Sequence, residues 1–167
     1  MSKVRDLFLG RAAQLFVMSE FIVRGYNAAI PEVDIGDDIL VIRDRDDALS
    51  KIQVKATNTL KELKSEKNRG VFRAQFNIKK TQLLRDPIAP FYFIFLIRRD
   101  EQWYEPLIFP QDILANDFIS GDIGTEHNEQ VKLWFKIYPD KTLECNNVDY
   151  SGQINNWSYW PIVESWS

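Results

Sequence analysis

Three polar side chains in one short stretch could do phosphate chemistry together. Asp38 ends a D-x-G-x-D motif, and Gln53-Val54-Lys55 follows after a strand-like run and a polar turn. Alternate residues of a strand share a face, so Gln53 and Lys55 project to one side while Val54 projects to the other. An acid, an amide and an ammonium can hold a hard divalent cation beside a phosphate and organise a water for attack.

Convergence of these groups depends on the register of a hairpin. Fifteen positions separate Asp38 from Gln53, with a polar turn at 43–47 between them. Pairing Asp38 with Gln53 or Lys55 puts all three polar groups on one surface, whereas a slip of one residue separates them. Asp38, the Gln53 amide oxygen and the Val54 carbonyl would then suffice for Mg²⁺, which retains several waters. The alternative is a surface salt bridge between Asp38 and Lys55.

A strongly apolar helix over residues 4–24 precedes this motif and is expected to end at Gly25. Gln14 lies in an apolar sector, where an amide needs a hydrogen-bonding partner that is either structural or part of a site. Residues at three- and four-residue steps define the face expected to pack on the protein, with three more beside it. That face comprises Val4, Phe8, Ala12, Leu15, Ser19 and Ile22, flanked by Leu7, Met18 and Phe21.

Apolar runs and alternation predict the strands. Residues 39–42 and 51–55 should form the hairpin, 71–78 a third strand, and the continuous apolar run 91–97 a central strand buried on both faces. Further elements are predicted at 79–85 (a short helix), 103–109 (a strand beside the central one), 111–115 (a short helix) and 131–138 (a strand). The aromatic residues Trp157, Tyr159, Trp160 and Trp166 are expected to close the core.

The order of these motifs resembles the PD-(D/E)XK nuclease superfamily, particularly its small bacterial members and the modified-DNA restriction nucleases that carry Q-x-K. The resemblance spans residues 10–57, including Gly25-Tyr26 and the segment from Ile52 to Ala56. It implies an α/β, restriction-endonuclease-like αβββαβ core with a mixed central sheet and a C-terminal extension.

The resemblance also implies roles for single residues. Asp38 corresponds to the metal-binding acid, Gln53 to the ligand at the acidic position and Lys55 to the catalytic lysine, with Mg²⁺ or Mn²⁺ as cofactor. Gln14 matches the position where many relatives place a glutamate on the first helix. Two amides thus stand where relatives have acids, which weakens the implied metal site.

Three other acidic residues lie near Asp38. Asp37 is its rival, although its side chain should face the other way if the strand is already extended. Asp34 is expected to form the turn beside the following glycine. Glu32 is expected to be peripheral.

Charge is distributed unevenly along a chain of net charge −3. Residues 1–50 carry 6 basic and 9 acidic side chains, residues 51–85 carry 10 and 2, and residues 86–167 carry 5 and 13. The middle segment, at +8, could attract a phosphate backbone, and the alternative is a solvated basic loop. The residues expected to bind DNA are Lys61, Lys64, Lys67, Arg69, Arg73, Lys79 and Lys80.

Length and composition exclude several classes of protein. A chain of 167 residues predicts one domain, with residues 1–100 as the nuclease-like core and 101–167 as additional strands and an extension. No apolar run is long enough to span a bilayer, no signal segment begins the chain, and the single cysteine predicts a cytoplasmic protein. Phosphate-loop, serine-hydrolase and dinucleotide motifs are missing, and His127 and Cys145 lack partners for catalysis.

Two functions remain. The first is a metal-dependent DNA endonuclease that hydrolyses phosphodiester bonds. The second is a catalytically inactive nuclease-fold module for binding or interaction, with a defence system as one setting for it. The expected partners are DNA and a second copy of the chain or another protein, with no membrane.

Overall fold

The part of the chain that the computed structural model describes, residues 3–32, 36–60, 65 and 69–164, contains two β-sheets, three α-helices and two short 3₁₀ helices. The α-helices are α1 (Lys3–Val23), α2 (Lys80–Leu83) and α3 (Gln111–Ile119), and the 3₁₀ helices are Ser151–Gln153 and Trp157–Tyr159. The strands are β1 (Asn27–Ala29), β2 (Ile39–Arg43), β3 (Ala48–Asn58), β4 (Phe72–Lys79), β5 (Phe91–Arg99), β6 (Gln102–Trp103), β7 (Leu107–Pro110), β8 (Thr125–His127), β9 (Gln130–Ile137), β10 (Leu143–Cys145) and β11 (Val148–Asp149).

The first sheet contains the predicted hairpin. Its strand order is β1-β2-β3-β5-β6, with β7 also paired to β5. β3 and β5 run parallel, from Lys51 opposite Phe91 to Asn58 opposite Arg98, and the other pairs are antiparallel. The mixed central sheet implied by the resemblance is therefore present.

The second sheet has the order β11-β10-β9-β4, with β8 paired to β9. The strand predicted at 71–78 is present as β4 and pairs with β9. β4 buries every second residue and leaves the others partly or fully exposed. Such a strand suits a sheet with one wet face, whereas a central strand of the first sheet is covered on both sides.

β5 joins the two hydrophobic cores. Phe93, Phe95 and Ile97 pack in the core toward the second sheet, while Ile94 and Leu96 pack in the core toward α1. The first sheet is thus the middle of three layers, and the prediction of a doubly buried strand at 91–97 is confirmed.

The predicted packing face of α1 is wrong. Ala13, Val17 and Phe21 are fully buried, whereas Val4, Leu7, Phe8, Leu15 and Ile22 are 51–75% exposed. Apolar residues occur around most of this helix, so periodicity alone did not select a side. The buried side carries small residues at Ala13 and Val17, which let the helix approach the sheet closely.

The remaining predicted elements are confirmed with small changes of boundary. The helix at 79–85 is α2, the strand at 103–109 is divided into β6 and β7 beside β5, the helix at 111–115 is α3, and the strand at 131–138 is β9. Near the C-terminus, Trp157 and Trp160 pack edge-on against Phe21 and close the core under α1. Trp166 lies outside the described residues. Within the described part of the chain, the helices are too short or too polar to cross a membrane.

The two sides of α1 should differ sharply in their contribution to stability. Phe21→Ala should lower the free energy of unfolding by about 3–5 kcal/mol, because it removes a fully buried ring between two tryptophans. Phe8→Ala should change it by less than about 0.5 kcal/mol, because Phe8 is 73% exposed. Urea unfolding followed by circular dichroism measures both values.

Phe21→Leu provides a milder variant if the alanine variant fails to fold. Equal losses for the Phe8 and Phe21 variants would contradict the assigned orientation of the helix.

Candidate active site

The β2–β3 register brings the sequence motif together. Ile39 lies opposite Ile52, and Asp38 N donates a hydrogen bond of 2.8 Å to Ile52 O. Continuing the ladder by one residue places Asp38 opposite Gln53. Of the registers that the sequence permits, the structure therefore has the convergent one.

The carboxylate of Asp38 is the centre of a buried hydrogen-bond network. Asp38 is 8% exposed, and its Oδ1 accepts a hydrogen bond of 3.0 Å from Gln14 Nε2. Its Oδ2 accepts from Val54 N at 2.7 Å and from Gln53 Nε2. Arg11 Nη1 donates to Gln14 Oε1 at 3.1 Å, which turns the amide nitrogen of Gln14 toward Asp38. The predicted association of Gln14 with Asp38 is thus seen as a direct contact.

Gln82 extends this network from α2. Its Nε2 donates to Gln53 Oε1 and, at 2.5 Å, to the carbonyl of Gly36. Gln53 is 5% exposed and Gln82 is 9% exposed, so the two amides are held together away from bulk water. Gly36 has φ +97°, and an added Cβ would meet Gln82 Nε2 at 3.2 Å. A side chain at this position would therefore both strain the backbone and press on the network.

A polar cleft of about 450 Å³ opens beside these amides. Three cations contribute to its wall, and no carboxylate does among the described residues. Its lining residues are Gly36, Gln53, Lys55, Lys79, Thr81, Gln82 and Arg85. The cleft accordingly suits an anion such as a phosphate group.

Asp37 belongs to a separate ion-pair cluster. Its carboxylate is 3% exposed and contacts Lys51 Nζ at 2.8 Å and Arg85 Nη2. Burial by itself raises the pKa of Asp37, but hydrogen bonds and charge from Lys51 and Arg85 outweigh it and hold the pKa below its ordinary value. The Arg85 guanidinium also lies 3.8 Å from the centre of the Phe91 ring. Asp37 therefore forms ion pairs with Lys51 and Arg85, which the sequence did not predict.

Comparison with known proteins identifies the fold. No protein-family model and no curated protein sequence matches this chain. Among solved structures, the bacterial homing endonuclease I-Ssp6803I is similar over 91% of this chain and 90% of its own, with a TM-score of 0.53 and 16% identity. The Holliday junction resolvase Hjc from Archaeoglobus fulgidus covers 78% and 84%, with a TM-score of 0.44 and 16% identity.

This chain has a restriction-endonuclease-like nuclease fold. Within that fold, the hairpin and β5 lie side by side in the first sheet, and α1 covers one face of that sheet. The assignment of Asp38, Gln53 and Lys55 as a D…Q-x-K site remains a prediction from the sequence. The contacts and the cleft described above show where these side chains lie.

The donor set around Asp38 fits a weakly bound Mg²⁺ or Mn²⁺. Gln53 Nε2 lies next to Asp38 Oδ2 and 3.4 Å from Val54 O. A half-turn of the Gln53 amide would place its oxygen there, so that one carboxylate, one amide and one carbonyl oxygen meet. The same turn would give up the hydrogen bond that Gln53 Oε1 accepts from Gln82 Nε2. Mg²⁺ retains several waters, so three protein oxygens are enough. Among the described residues, no three acidic, histidine or cysteine side chains cluster as a stronger site.

The basic residues predicted to bind DNA divide into three groups. Lys79 lines the cleft, and Arg73 lies on the partly exposed side of β4. Lys80 instead pairs with Glu126 at 2.8 Å, and Arg69 donates to the carbonyl of Ser65 at 3.2 Å. The other three, Lys61, Lys64 and Lys67, lie outside the described residues, as does Asp34.

Sequence analysis missed Gln82, Thr81 and Arg85 as members of the site. Gln82 lies 29 positions from Gln53 and 46 from Gly36, so only the tertiary fold reveals its contacts. Of these three residues, only Arg85 could have been suspected from the sequence, because it is the last basic residue of the +8 segment 51–85. Cys145 is buried, and burial raises the pKa of its thiol to about 11, so the thiolate needed for catalysis is disfavoured.

Loss of the Asp37 charge should alter stability mainly above pH 4. Because the folded state lowers this pKa, the ion pairs stabilise the protein above the ordinary value of 3.8 and lose that effect as pH falls through the folded-state pKa. Asp37→Asn should therefore lower the free energy of unfolding by about 1–3 kcal/mol at pH 7. The difference from wild type should shrink toward pH 2 in urea titrations.

Asp86→Asn, an exposed change one residue after Arg85, is the matched control. An Asp37→Asn deficit that stays the same from pH 7 to pH 2 would rule out the ionic origin of this stabilisation.

Proposed function

We propose that this protein is a metal-dependent DNA endonuclease that hydrolyses phosphodiester bonds. The observation that carries the proposal is that Gln53, which contacts the buried Asp38 carboxylate, also lines a cleft with Lys55, Lys79 and Arg85. A carboxylate for a cation beside a basic pocket for a phosphate is the arrangement that phosphodiester hydrolysis needs. The solved structure that supports the fold is itself a homing endonuclease.

Each residue of the site has a distinct role in this proposal. Asp38, the Gln53 amide and the Val54 carbonyl would hold Mg²⁺ or Mn²⁺, which polarises the phosphate and lowers the pKa of a bound water. Lys55 orients the attacking water or neutralises charge that develops on the phosphoryl oxygens. Gln14 fixes the orientation of the Asp38 carboxylate through its 3.0 Å hydrogen bond.

Arg85 and Lys79 add positive charge to the walls of the cleft. Arg85 is held by Asp37, so its guanidinium is oriented before any ligand binds. Positive groups fixed in advance stabilise developing negative charge without the cost of reorganisation.

A specific observation favours the second candidate, an inactive binding module. Three donors already satisfy the Asp38 carboxylate, namely the amides of Gln14 and Gln53 and the backbone of Val54. A carboxylate held this way is stable without a cation. Titration with Mn²⁺ separates the candidates, because saturable binding that Asp38→Ala abolishes supports the enzyme, whereas DNA or protein binding indifferent to metal supports the module.

Removal of the central charges should abolish cleavage. Asp38→Asn and Lys55→Ala should each reduce the rate at least about 100-fold, because the first weakens the cation site and the second removes a charge beside the phosphate. The measurement is nicking and linearisation of supercoiled plasmid with Mg²⁺ or Mn²⁺, together with linear duplex and four-way-junction substrates.

Lys141→Ala is the matched control, because its ammonium pairs with Glu105 outside the cleft. Circular dichroism confirms that each variant is folded. Cleavage by Lys55→Ala at the wild-type rate would contradict the proposed role of this lysine.

Replacement of the amide by an acid should strengthen the cation site. Gln53→Glu should tighten Mn²⁺ binding by about tenfold, because a second carboxylate then faces the ion next to Asp38. Isothermal titration calorimetry with Mn²⁺ gives the affinity directly, without relying on activity.

Gln102→Glu on β6 makes the same chemical change at an exposed position and should leave Mn²⁺ affinity unchanged. If Gln53→Glu bound Mn²⁺ no more tightly than wild type and Gln102→Glu, the assignment of Gln53 as a ligand would be wrong.

A further inference from the structure

The outward side of the β4–β9 pair carries polar side chains that the candidate site leaves largely unused. The two strands pair antiparallel from Phe72 opposite Ile137 to Lys79 opposite Gln130. Alternate pairs turn buried apolar side chains to the core, and the other four pairs turn outward. We name these eight residues the outer face: Arg73 opposite Lys136, Gln75 opposite Trp134, Asn77 opposite Lys132, and Lys79 opposite Gln130.

The outer face carries positive charge and no negative charge. It holds four cations, three amides and one indole, and none of its eight residues is acidic. This is unexpected for residues 86–167, which have 5 basic and 13 acidic side chains, yet Lys132 and Lys136 both lie here. Solvated protein surfaces ordinarily mix charges of both signs, so the outer face has the charge complementary to a polyanion.

We propose that the outer face is the surface on which duplex DNA lies, with Lys132 and Lys136 contacting its phosphates. This inference rests on the proposed nuclease function and extends it to the DNA on one side of the cleaved bond. Continuity with the cleft carries it, because Lys79 belongs to the outer face and also lines the cleft with Gln53 and Lys55. A duplex on this face therefore leads into the candidate active site.

The dimensions of the outer face match a short stretch of duplex. At about 3.3 Å per residue, the strand from Arg73 to Lys79 is about 20 Å long, the axial length of about six base pairs. Gln75 and Asn77 lie between the cations, and Gln75 Nε2 donates to Asn77 Oδ1 at 3.0 Å. Such amides can bond to base edges in the major groove. The Trp134 ring, 42% exposed, offers an apolar contact at the centre.

Acidic residues mark the far limit of the outer face. Glu144 of β10 lies opposite Lys136, and its Oε2 accepts a hydrogen bond of 2.9 Å from the Tyr138 hydroxyl. Asp149 of β11 lies opposite Glu144 in turn. The face is therefore positive on the β4 side, nearest the cleft, and negative beyond β9. This gradient directs a polyanion toward the candidate site and away from β11.

The test measures DNA binding separately from cleavage. Fluorescence anisotropy with a labelled duplex of about 20 base pairs, in metal-free buffer, gives the affinity as a function of salt. The combined Lys132→Gln and Lys136→Gln variant should bind at least about tenfold more weakly at 0.1 M salt and lower the salt slope by about 1.8, since each phosphate contact contributes about 0.9. Trp134→Ala should weaken binding and leave that slope unchanged, because it removes no charge.

The matched control combines Arg5→Gln on α1 with Arg45→Gln in the β2–β3 turn, which removes the same charge elsewhere on the protein. Equal losses in the control and the Lys132/Lys136 variant would show only general electrostatics and overturn the inference. Wild-type binding and slope in the Lys132/Lys136 variant would overturn it too, while cleavage abolished by Lys55→Ala would leave the nuclease proposal standing. Conversely, the wild-type protein could bind DNA without cleaving it, and the Lys132/Lys136 variant could lose that binding. This pair of results would support the outer face as the DNA-binding surface and reject the nuclease proposal.

Discussion

The backbone hydrogen bond from Asp38 N to Ile52 O extends the β2–β3 ladder to one residue before the start of β2. The whole candidate site depends on this bond, because it fixes which side of the sheet the Asp38 carboxylate occupies. A hairpin shifted by one residue would turn Gln53 and Lys55 toward α1 and bury Ile52 and Val54 on the opposite side. Burial of Ile52 and Val54 in the core under α1 therefore sets the register.

The adjacent acids Asp37 and Asp38 have different partners. Asp37 forms ion pairs with Lys51 and Arg85, whereas Asp38 accepts hydrogen bonds from the amides of Gln14 and Gln53. Asp37 thus orients Arg85 in the wall of the cleft, and Asp38 joins the two amides. This division lets two successive residues of the same type serve different purposes within one turn of chain.

The sequence predicted the hairpin and the central strand. The turn at 43–47 and the alternation of Lys51 to Lys55 predicted the two paired strands but permitted more than one register, and the uninterrupted apolar run at 91–97 required cover on both faces. The sequence could not predict which side of α1 packs against the sheet, because apolar residues surround most of the helix. It could not predict the contacts of Gln82 either, since they join segments that only the folded chain brings together.

The second sheet shows a different limit. β4 was predicted as a third strand without a named partner, and its partner β9 begins 51 positions after the end of β4, at Gln130. Alternation correctly indicated a strand with one wet face and carried no information about the neighbour. Side-chain patterns specify exposure locally, whereas the choice of sheet depends on which apolar surfaces are left uncovered elsewhere.

β5 contributes side chains to both hydrophobic cores, with Phe93 and Phe95 on one side of the sheet and Ile94 and Leu96 on the other. Deleting a single residue within it would exchange large rings for branched aliphatic chains in both interiors at once. Insertions and deletions inside this strand should therefore be among the least tolerated changes in the chain.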